Sequence, residues 1–208
     1  MTEGLFITFE GIEGSGKSTQ IKLLSEYMQE KGFEVLITRE PGGTELGRKI
    51  RQLLLDPEYS SMDYKAEILL YAADRAQHVK EVIKPALEAG KTVISDRFID
   101  SNLAYQAAGR GLNFKKVYEI NSWVIDSCWP DLTFLLDIDI KEGLRRARAL
   151  SSDQTGDRLE REVDAFHKRV RNAYLDMASE ERFVIIDGSR DKNVVQEEIQ
   201  KITAGRLL

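Results

Sequence analysis

One eight-residue segment near the start of the chain constrains the fold more than any other feature. Residues 11–18 read Gly-Ile-Glu-Gly-Ser-Gly-Lys-Ser and match the pattern G-x-x-x-x-G-K-[ST] in full. A short apolar run precedes the segment and a helical pattern follows it, which is the strand–loop–helix context that such a loop requires. The segment therefore predicts a loop that binds phosphate groups.

The residue types in this loop explain why it would bind phosphate. Gly11, Gly14 and Gly16 allow backbone conformations closed to residues with a Cβ atom, so successive amide groups can point inward. The N-terminus of the following helix adds roughly half a positive charge. Lys17 supplies a full charge for the β and γ phosphates, and the Ser18 hydroxyl can ligate Mg²⁺. The residues expected to bind a nucleoside triphosphate are Gly11, Ile12, Glu13, Gly14, Ser15, Gly16, Lys17, Ser18 and Thr19.

Short apolar runs alternate with longer amphipathic stretches along the chain. The runs are nearly continuous in apolar character, which is typical of strands covered on both faces. The alternation predicts an α/β fold over residues 1–208 as a single domain, with a largely parallel sheet of five strands flanked by helices. Together with the loop, this pattern predicts the three-layer P-loop NTPase fold, with a mobile lid. The predicted strands are Leu5–Phe9, Val35–Thr38, Thr92–Ser95, Leu132–Ile138 and Phe183–Ile186.

Composition excludes several other classes of protein. The chain has 208 residues and one cysteine, Cys128, so an intramolecular disulfide is impossible. Two histidines without ligand spacing argue against a structural zinc site. The net charge of −5 gives no electrostatic reason to expect binding to nucleic acid. Neither a signal peptide nor a membrane-length apolar stretch is visible, so we expect a cytoplasmic protein.

The sequence also narrows what the loop is used for. A GTPase would need an N-K-x-D segment after a strand, but Leu132–Asp137 is followed by Ile-Asp-Ile-Lys. Large mechanochemical ATPases generally need a longer chain and an Asp-Glu pair at a strand end, which this chain lacks. The size and motifs therefore favour a kinase that acts on a small molecule.

Polar residues after the third predicted strand are candidates for the acceptor side. Asp96 and Arg97 follow that strand directly, and the carboxyl end of a strand is where ligands bind in open α/β sheets. Asp96 could hold the Mg²⁺ shell, and Arg97 could clamp phosphate oxygens. Taken alone, the same pair could be a surface salt bridge. Pro85, inside a helical pattern nearby, predicts a kink or a restart of that helix.

Tyr71 and Arg75 are spaced by one helical turn and fall outside the apolar stripe assigned to the core. Such a pair could stack on a flat base and donate to its carbonyl oxygen. The alternative is a packed tyrosine beside a solvated arginine. Gln106 carries both a donor and an acceptor, which suits a base edge with N–H beside C=O.

The chain resembles the bacterial thymidylate kinases nearly from end to end, through the order and the spacing of several segments. The first segment alone indicates only a P-loop protein, whereas the combination is specific. The segments that carry the resemblance are Phe9–Thr19, Thr38–Thr44, Ala72–His78, Asp96–Phe98, Ala104–Gln106 and Gly109–Gly111. The resemblance implies a nucleoside monophosphate kinase fold, a homodimer, and transfer of the γ-phosphate of ATP to dTMP with Mg²⁺, giving dTDP and ADP.

The resemblance also implies roles for individual residues. It implies that Arg75 and Gln106 bind the edge of the thymine base and that the ring of Tyr71 stacks on the base. The family more often has Phe at the position of Tyr71. Arg97 would hold the dTMP phosphate, with Arg39 as a helper, and Tyr105 would crowd a 2′-hydroxyl. Ser18 and Asp96 would serve Mg²⁺. The residues implied in dTMP binding are Glu10, Arg39, Pro41, Tyr71, Arg75, Arg97, Ser101, Tyr105 and Gln106.

Catalysis in this family also needs an arginine that comes from the P-loop or from a mobile lid. The P-loop of this chain has none, so it resembles the lid type, with the lid at about residues 145–160. The polar segment 151–157 inside it is predicted to be mobile. The lid is longer than is usual in the family. This chain has Leu150 at the position where family members often have a second arginine after Arg148. Arg148 and Arg158 are both candidates and remain unranked.

Two alternatives stay open at this stage. One is a kinase for another nucleoside monophosphate or for a deoxynucleoside. The other is a nucleotide-dependent binding module without an acceptor, which would bind ATP but form no dTDP. The several arginines that follow strands argue against the second alternative, because a switch needs no second phosphate clamp.

We predict that Lys17→Ala and Arg97→Ala each lower kcat at least ~100-fold. Phosphoryl transfer requires two anions to be held in line while developing charge is neutralised, and each substitution removes one of the cations assigned to that task. Steady-state kinetics of each variant measures the effect. A loss of only a few-fold in a variant whose fold is intact would refute the role of that residue.

Overall fold

The computed structural model describes residues 4–150 and 157–207, and its centre is a single parallel sheet. The five predicted apolar runs form its five strands, in the order β2-β3-β1-β4-β5. This confirms the predicted α/β class and the number of strands. The strands are β1 (Phe6–Glu10), β2 (Val35–Arg39), β3 (Thr92–Asp96), β4 (Leu132–Asp137) and β5 (Phe183–Asp187).

The central strand β1 explains why the site lies where it does. It pairs with β3 on one side, Phe9 opposite Asp96, and with β4 on the other, Phe9 opposite Phe134. From β1 the chain crosses to β2 on one side, whereas from β3 it crosses back over β1 to β4 on the other. The connections after β1 and β3 therefore leave in opposite directions, and a crevice opens between them at the carboxyl ends of the strands. The loop after β1 and the residues after β3 therefore lie side by side at this crevice.

Helices cover both faces of the sheet and make three layers. Ile7 and Phe9 pack with the first and last helices, whereas Phe6 packs with the helices on the opposite face. This alternation follows from the two-residue period of a strand. The helices are α1 (Lys17–Glu30), α2 (Glu45–Leu55), α3 (Tyr64–His78), α4 (Lys84–Glu88), α5 (Ile99–Asn102), α6 (Phe114–Ile125), α7 (Ile140–Leu150), α8 (Asp164–Met177) and α9 (Lys192–Leu207).

Two wide π-helical turns interrupt the regular helices. Val79–Ile83 joins α3 to α4, so the helix restarts at Lys84, one residue before Pro85. The predicted restart at this proline is therefore present, and the wide turn accommodates a residue that cannot donate a backbone hydrogen bond. Leu103–Gly109 follows α5 and carries Tyr105 and Gln106 towards the crevice. Such turns are frequent at functional sites.

The segment predicted as a lid is described only in part. Residues 145–150 form the end of α7, and residues 157–160 lie in the turn that precedes α8. Residues 151–156, which carry most of the predicted mobile segment, lie outside the described residues. Among the residues that the structure describes, no helix is long and apolar enough to cross a membrane.

Candidate active site

The glycines of residues 11–18 adopt the backbone conformations that the sequence predicts. Gly11, Gly14 and Gly16 have φ angles of 133°, 71° and 98°, in the region that favours glycine. Space is restricted as well, since a Cβ atom on Gly14 would lie 2.0 Å from the Gly143 carbonyl oxygen on α7. The loop is therefore packed directly against the start of α7.

Lys17 is the first residue of α1 and lies across the mouth of this loop. Its Nζ donates to the carbonyl oxygens of Gly11, at 3.1 Å, and Ile12, at 2.9 Å. Burial, followed by repulsion from Arg97, lowers the pKa of Lys17 to about 8. A buried ammonium group at this position is held ready to pair with an anion that enters the loop.

A cavity of about 470 Å³ opens beside the loop and is rich in cationic side chains. Arg146 on α7 donates to the Gly188 carbonyl oxygen at 3.2 Å and so closes one wall. The basic residues around the cavity are Lys17, Arg145, Arg146, Arg190 and Lys192. This arrangement can hold a strongly anionic ligand whose phosphates reach the loop amides.

Ser18 and Asp96 bring a hydroxyl and a carboxylate together beside the loop. The Ser18 Oγ donates to the Asp96 Oδ2 at 2.9 Å. Within residues 4–150 and 157–207, no group of three or more His, Cys, Asp or Glu side chains could hold a metal ion alone. Two hard oxygen donors suit Mg²⁺, which usually takes its remaining ligands from substrate phosphates and water. The residues present therefore fit a Mg²⁺ ion that arrives with a nucleotide.

A second, smaller cavity of about 170 Å³ lies across the crevice from the first. Glu13, at the mouth of the loop, forms part of its wall. The residues assigned by resemblance to dTMP that line it are Pro41, Tyr71, Arg75, Arg97, Ser101, Tyr105 and Gln106. Glu10 lies behind the wall, where it accepts a hydrogen bond from Ser101 Oγ at 2.7 Å, and Arg39 is exposed at the end of β2.

Arg97 lines the second cavity and contacts the phosphate-binding loop. Its Nη2 is 3.1 Å from the Oε1 of Glu13 and 3.2 Å from the Tyr105 hydroxyl. Its guanidinium group also lies 5.0 Å from the centre of the Tyr105 ring. Although burial opposes ionisation of Glu13, the charges of Arg97 and Lys17 hold its pKa below the ordinary value. The ion pair is therefore charged at neutral pH.

Tyr71 and Arg75 are both buried, with exposed fractions of 7% and 1%. The helix face that the sequence places outside the core is the face that lines the cavity. Arg75 pairs with Glu40 at 2.6 Å and donates to the Phe98 carbonyl oxygen at 3.0 Å. Its Nε has no hydrogen-bond partner among the described residues, so it is a buried donor available to a ligand.

Gln106 has a fixed amide orientation. Its Nε2 donates to Glu67 Oε1 at 2.8 Å, and its Oε1 accepts from Asn102 Nδ2 at 2.8 Å. Asn102 also accepts a hydrogen bond from Arg75. The two amides and Arg75 therefore form one connected polar wall of the cavity.

The two candidate lid arginines lie in different surroundings. Arg158 is buried, with its Nη2 2.5 Å from Glu67 Oε2, and its Nε donates to the Leu54 carbonyl oxygen at 2.8 Å. Arg148 is exposed near the end of α7. Arg158 thus holds the turn after residue 156 against α2 and α3.

Sequence reasoning missed several residues of the second cavity. Asn102 follows the assigned Ser101 directly, and Glu40 follows the assigned Arg39, so proximity along the chain was the available signal. Asp157 and Glu160 flank Arg158 in the same way. Arg51 projects from α2, and no local pattern distinguishes it from a solvated arginine.

Comparisons with known proteins agree on one family. The family model described as thymidylate kinase matches residues 9–199. The thymidylate kinase of Halothermothrix orenii is 59% identical over 205 residues, which cover 99% of each chain. That of Geotalea daltonii is 48% identical over 210 residues, which cover 98% of each chain. A crystal structure of thymidylate kinase from Ehrlichia chaffeensis superposes with a TM-score of 0.77 at 37% identity, covering 97% of this chain and 99% of the other.

The fold, the phosphate-binding loop and the second cavity agree with these similarities over nearly the whole sequence. The chain therefore belongs to the thymidylate kinase family, whose members phosphorylate dTMP to dTDP with ATP.

Proposed function

We propose that this chain transfers the γ-phosphoryl group of ATP to dTMP at the junction of the two cavities. The observation that carries the proposal is the contact between Arg97 and Glu13, 3.1 Å apart. It joins the arginine assigned to the acceptor phosphate to the loop assigned to the donor phosphates. Two anions bound on either side of this contact would meet end to end, which is the arrangement that phosphoryl transfer needs.

ATP binds along residues 11–19 in this proposal. The backbone amides of the loop surround the β and γ phosphates, and Lys17 turns from its two carbonyl partners to the incoming charge. The nucleoside part of ATP occupies the larger cavity, between α7 and the residues that follow β5. Arg146 and Arg190 line that space.

Ser18 and Asp96 would hold Mg²⁺ together with the nucleotide phosphates. When bound, the ion neutralises charge on the phosphoryl oxygens. The hydrogen bond between Ser18 and Asp96 keeps both oxygens beside the loop before the ion arrives.

dTMP fills the smaller cavity with its phosphate towards Arg97. Tyr71 provides the ring for stacking, and Arg75 and Gln106 face the thymine edge, supported by the unpartnered Nε of Arg75. Tyr105 lies on the deoxyribose side, where its bulk opposes a 2′-hydroxyl. The other residues assigned to dTMP are Glu10, Arg39, Pro41 and Ser101.

In phosphoryl transfer the protein mainly positions the two substrates and neutralises negative charge on the transferring group. The dTMP phosphate is the nucleophile and is largely ionised near neutral pH, so no strong general base is needed. The charge that develops on the transferring group is offset by Lys17, by Arg97 and by one of the two lid arginines, Arg148 or Arg158. Closure of a lid at about residues 145–160 would exclude water, which competes as an acceptor.

The chain works as one domain in the cytoplasm, and as a homodimer. An unbroken sheet with helices on both faces supports the single domain. The dimer is supported by exposed apolar side chains on the neighbouring helices α3 and α6, namely Leu69, Phe114, Tyr118 and Trp123. A second copy would cover these exposed apolar side chains.

The test of the activity is dTDP formation from ATP and dTMP. We expect dTDP only when Mg²⁺ is present, and loss of product when the ion is chelated. The same assay with dUMP, dCMP, AMP and thymidine separates dTMP from other acceptors. Hydrolysis of ATP without dTDP would instead indicate a binding module and reject the proposal.

We predict that Tyr71→Ala weakens dTMP binding ~10-fold or more, because a stacked base loses its aromatic platform. Tyr71→Phe is the matched control, since it keeps the ring and removes only the hydroxyl. Calorimetric titration with dTMP and with ATP measures both affinities. ATP binding should be unchanged in both variants, and an unchanged dTMP affinity in Tyr71→Ala would reject stacking.

We predict that the native chain sediments as a dimer and that Leu69→Glu shifts it towards the monomer. A carboxylate at this exposed apolar position would be buried without a partner in the dimer. Val194→Glu on α9 makes the same change at an exposed residue elsewhere. A native monomer, or an equal effect of both variants, would contradict this interface.

A further inference from the structure

Tyr174 on α8 is buried, with 1% of its surface exposed, yet its hydroxyl faces the site rather than the core. Its Oη lies 2.8 Å from Glu10 Oε2, 2.9 Å from Ser101 Oγ and 3.2 Å from Arg97 Nη1. A single hydroxyl thus contacts three polar residues at the inner end of the second cavity.

Three oxygen–oxygen contacts among Glu10, Ser101 and Tyr174 share two hydroxyl protons, and an ionised Glu10 is the strongest acceptor for both. Glu10 Oε2 accepts from the hydroxyls of Tyr174 and Ser101, and its Oε1 accepts from the Phe98 amide at 2.8 Å. Each hydroxyl has one proton and gives it to Glu10, so its lone pairs remain for Arg97. Arg97 Nη1 has two hydrogens and donates to Ser101 at 3.1 Å and to Tyr174 at 3.2 Å.

The other end of the same guanidinium group is held by different residues. Arg97 Nη2 contacts Glu13 and Tyr105. The arginine side chain keeps 18% of its surface exposed. Two carboxylates therefore restrain the group, Glu13 directly and Glu10 through two hydroxyls, and the exposed part faces the cavity.

We propose that Tyr174 is a positioning residue whose hydroxyl, together with that of Ser101, bridges Arg97 to the buried Glu10. The bridge fixes the guanidinium group in the orientation in which it receives the acceptor phosphate. This inference rests on the proposed function of Arg97 as the clamp for that phosphate.

The charge of Glu10 makes the bridge sensitive to pH. Burial, followed by the charge of Asp100, raises the pKa of Glu10 to about 7, while Arg97 and the hydrogen bonds from Ser101 and Tyr174 oppose this rise. The charged or titratable groups that face it are Asp100 from α5, Arg97 after β3, Lys17 from α1 and Tyr174 from α8. Burial, with the charge of Glu10, raises the pKa of Tyr174 well above its ordinary value, so its hydroxyl remains a donor.

The direction of the pH effect follows from these contacts. Loss of the Tyr174 hydroxyl removes a hydrogen bond that favours the ionised form of Glu10, so the pKa of Glu10 rises further. The bridge requires the carboxylate. Activity with dTMP should therefore fall as the pH drops through about 7 in the native protein, and at higher pH in the variant.

Tyr174→Phe tests the inference, because it deletes the hydroxyl and keeps the ring that packs 6.2 Å from the Tyr105 ring. We expect kcat/KM for dTMP to fall ~10-fold or more, the usual effect of a lost hydrogen bond to a charged group. The KM for ATP should change less than about twofold, since the bridge lies on the acceptor side. The acid limb of the pH profile for dTMP should move to higher pH.

Tyr27→Phe is the matched control, since Tyr27 lies on α1 with its ring against Lys31, away from both cavities. It should leave the kinetics and the pH profile unchanged. Ser101→Ala provides a second variant if Tyr174→Phe folds poorly, because it removes the parallel hydroxyl and should move the acid limb in the same direction. The two substitutions combined should not be additive, because they act on one pair of charges.

A readout that is independent of turnover separates this inference from the proposed function. Carbon-13 chemical shifts of the Glu10 carboxyl report its pKa directly in native protein and in Tyr174→Phe. A raised Glu10 pKa in the variant, with no dTDP formed by the native protein, would keep the bridge and reject the function. Normal turnover with an unchanged acid limb and an unchanged Glu10 pKa in Tyr174→Phe would overturn the bridge.

Discussion

The ion pair between Arg97 and Glu13 is the contact on which the rest of the site depends. It joins the residue that follows β3 to the loop that follows β1, two segments 84 residues apart in the chain. Neighbouring parallel strands end at the same edge of the sheet, so the pairing of β1 with β3 already brings the two segments close. The ion pair then holds the Arg97 side chain, which lines the second cavity, against the loop.

Buried carboxylates also hold the walls of the second cavity through ion pairs. Glu67 is fully buried and pairs with Arg158 at 2.5 Å and Arg110 at 3.2 Å, and it also accepts from Gln106. Glu40 pairs with Arg75 and with His78, whose ring nitrogen lies 2.9 Å from it. Removing one partner of a buried pair usually costs about 3–5 kcal/mol, because a charge is left uncompensated. These ion pairs therefore stabilise the orientation of the polar wall.

The sequence predicts the layers and the backbone conformation of the loop after β1 well, for identifiable reasons. Runs such as Leu132–Ile138 are apolar because both faces of a central strand are covered, and this signal is local. The three glycines of the loop are required by backbone conformations and by close contacts, so their spacing carries the prediction. The order of the strands has no such local signal, because it depends on contacts between distant segments.

The acceptor side is less predictable because its residues converge from separate helices. The apolar stripe of α3 identifies its core face but says nothing about Tyr71 and Arg75, which are buried against polar neighbours. His78 is fully buried, and its ring nitrogen contacts Glu40. Arg51 and Asn102 reach the cavity only through the packing of α2 and α5. The spacing of apolar residues predicts which helix face is buried in the core. It does not predict which polar residues line a cavity.

The energetics of the two lid candidates are unequal. If Arg158 moved to the transferring group, the fully buried Glu67 would lose its 2.5 Å partner, although Arg110 at 3.2 Å would remain. Arg148 is exposed, so fixing its side chain costs at most about 2 kcal/mol of rotamer entropy. It also follows Gly143 by five residues on α7, or about 7.5 Å along the helix, and Gly143 packs directly on the loop that would hold ATP. These contacts favour Arg148 as the arginine that reaches the phosphates, with Arg158 anchoring the segment behind it.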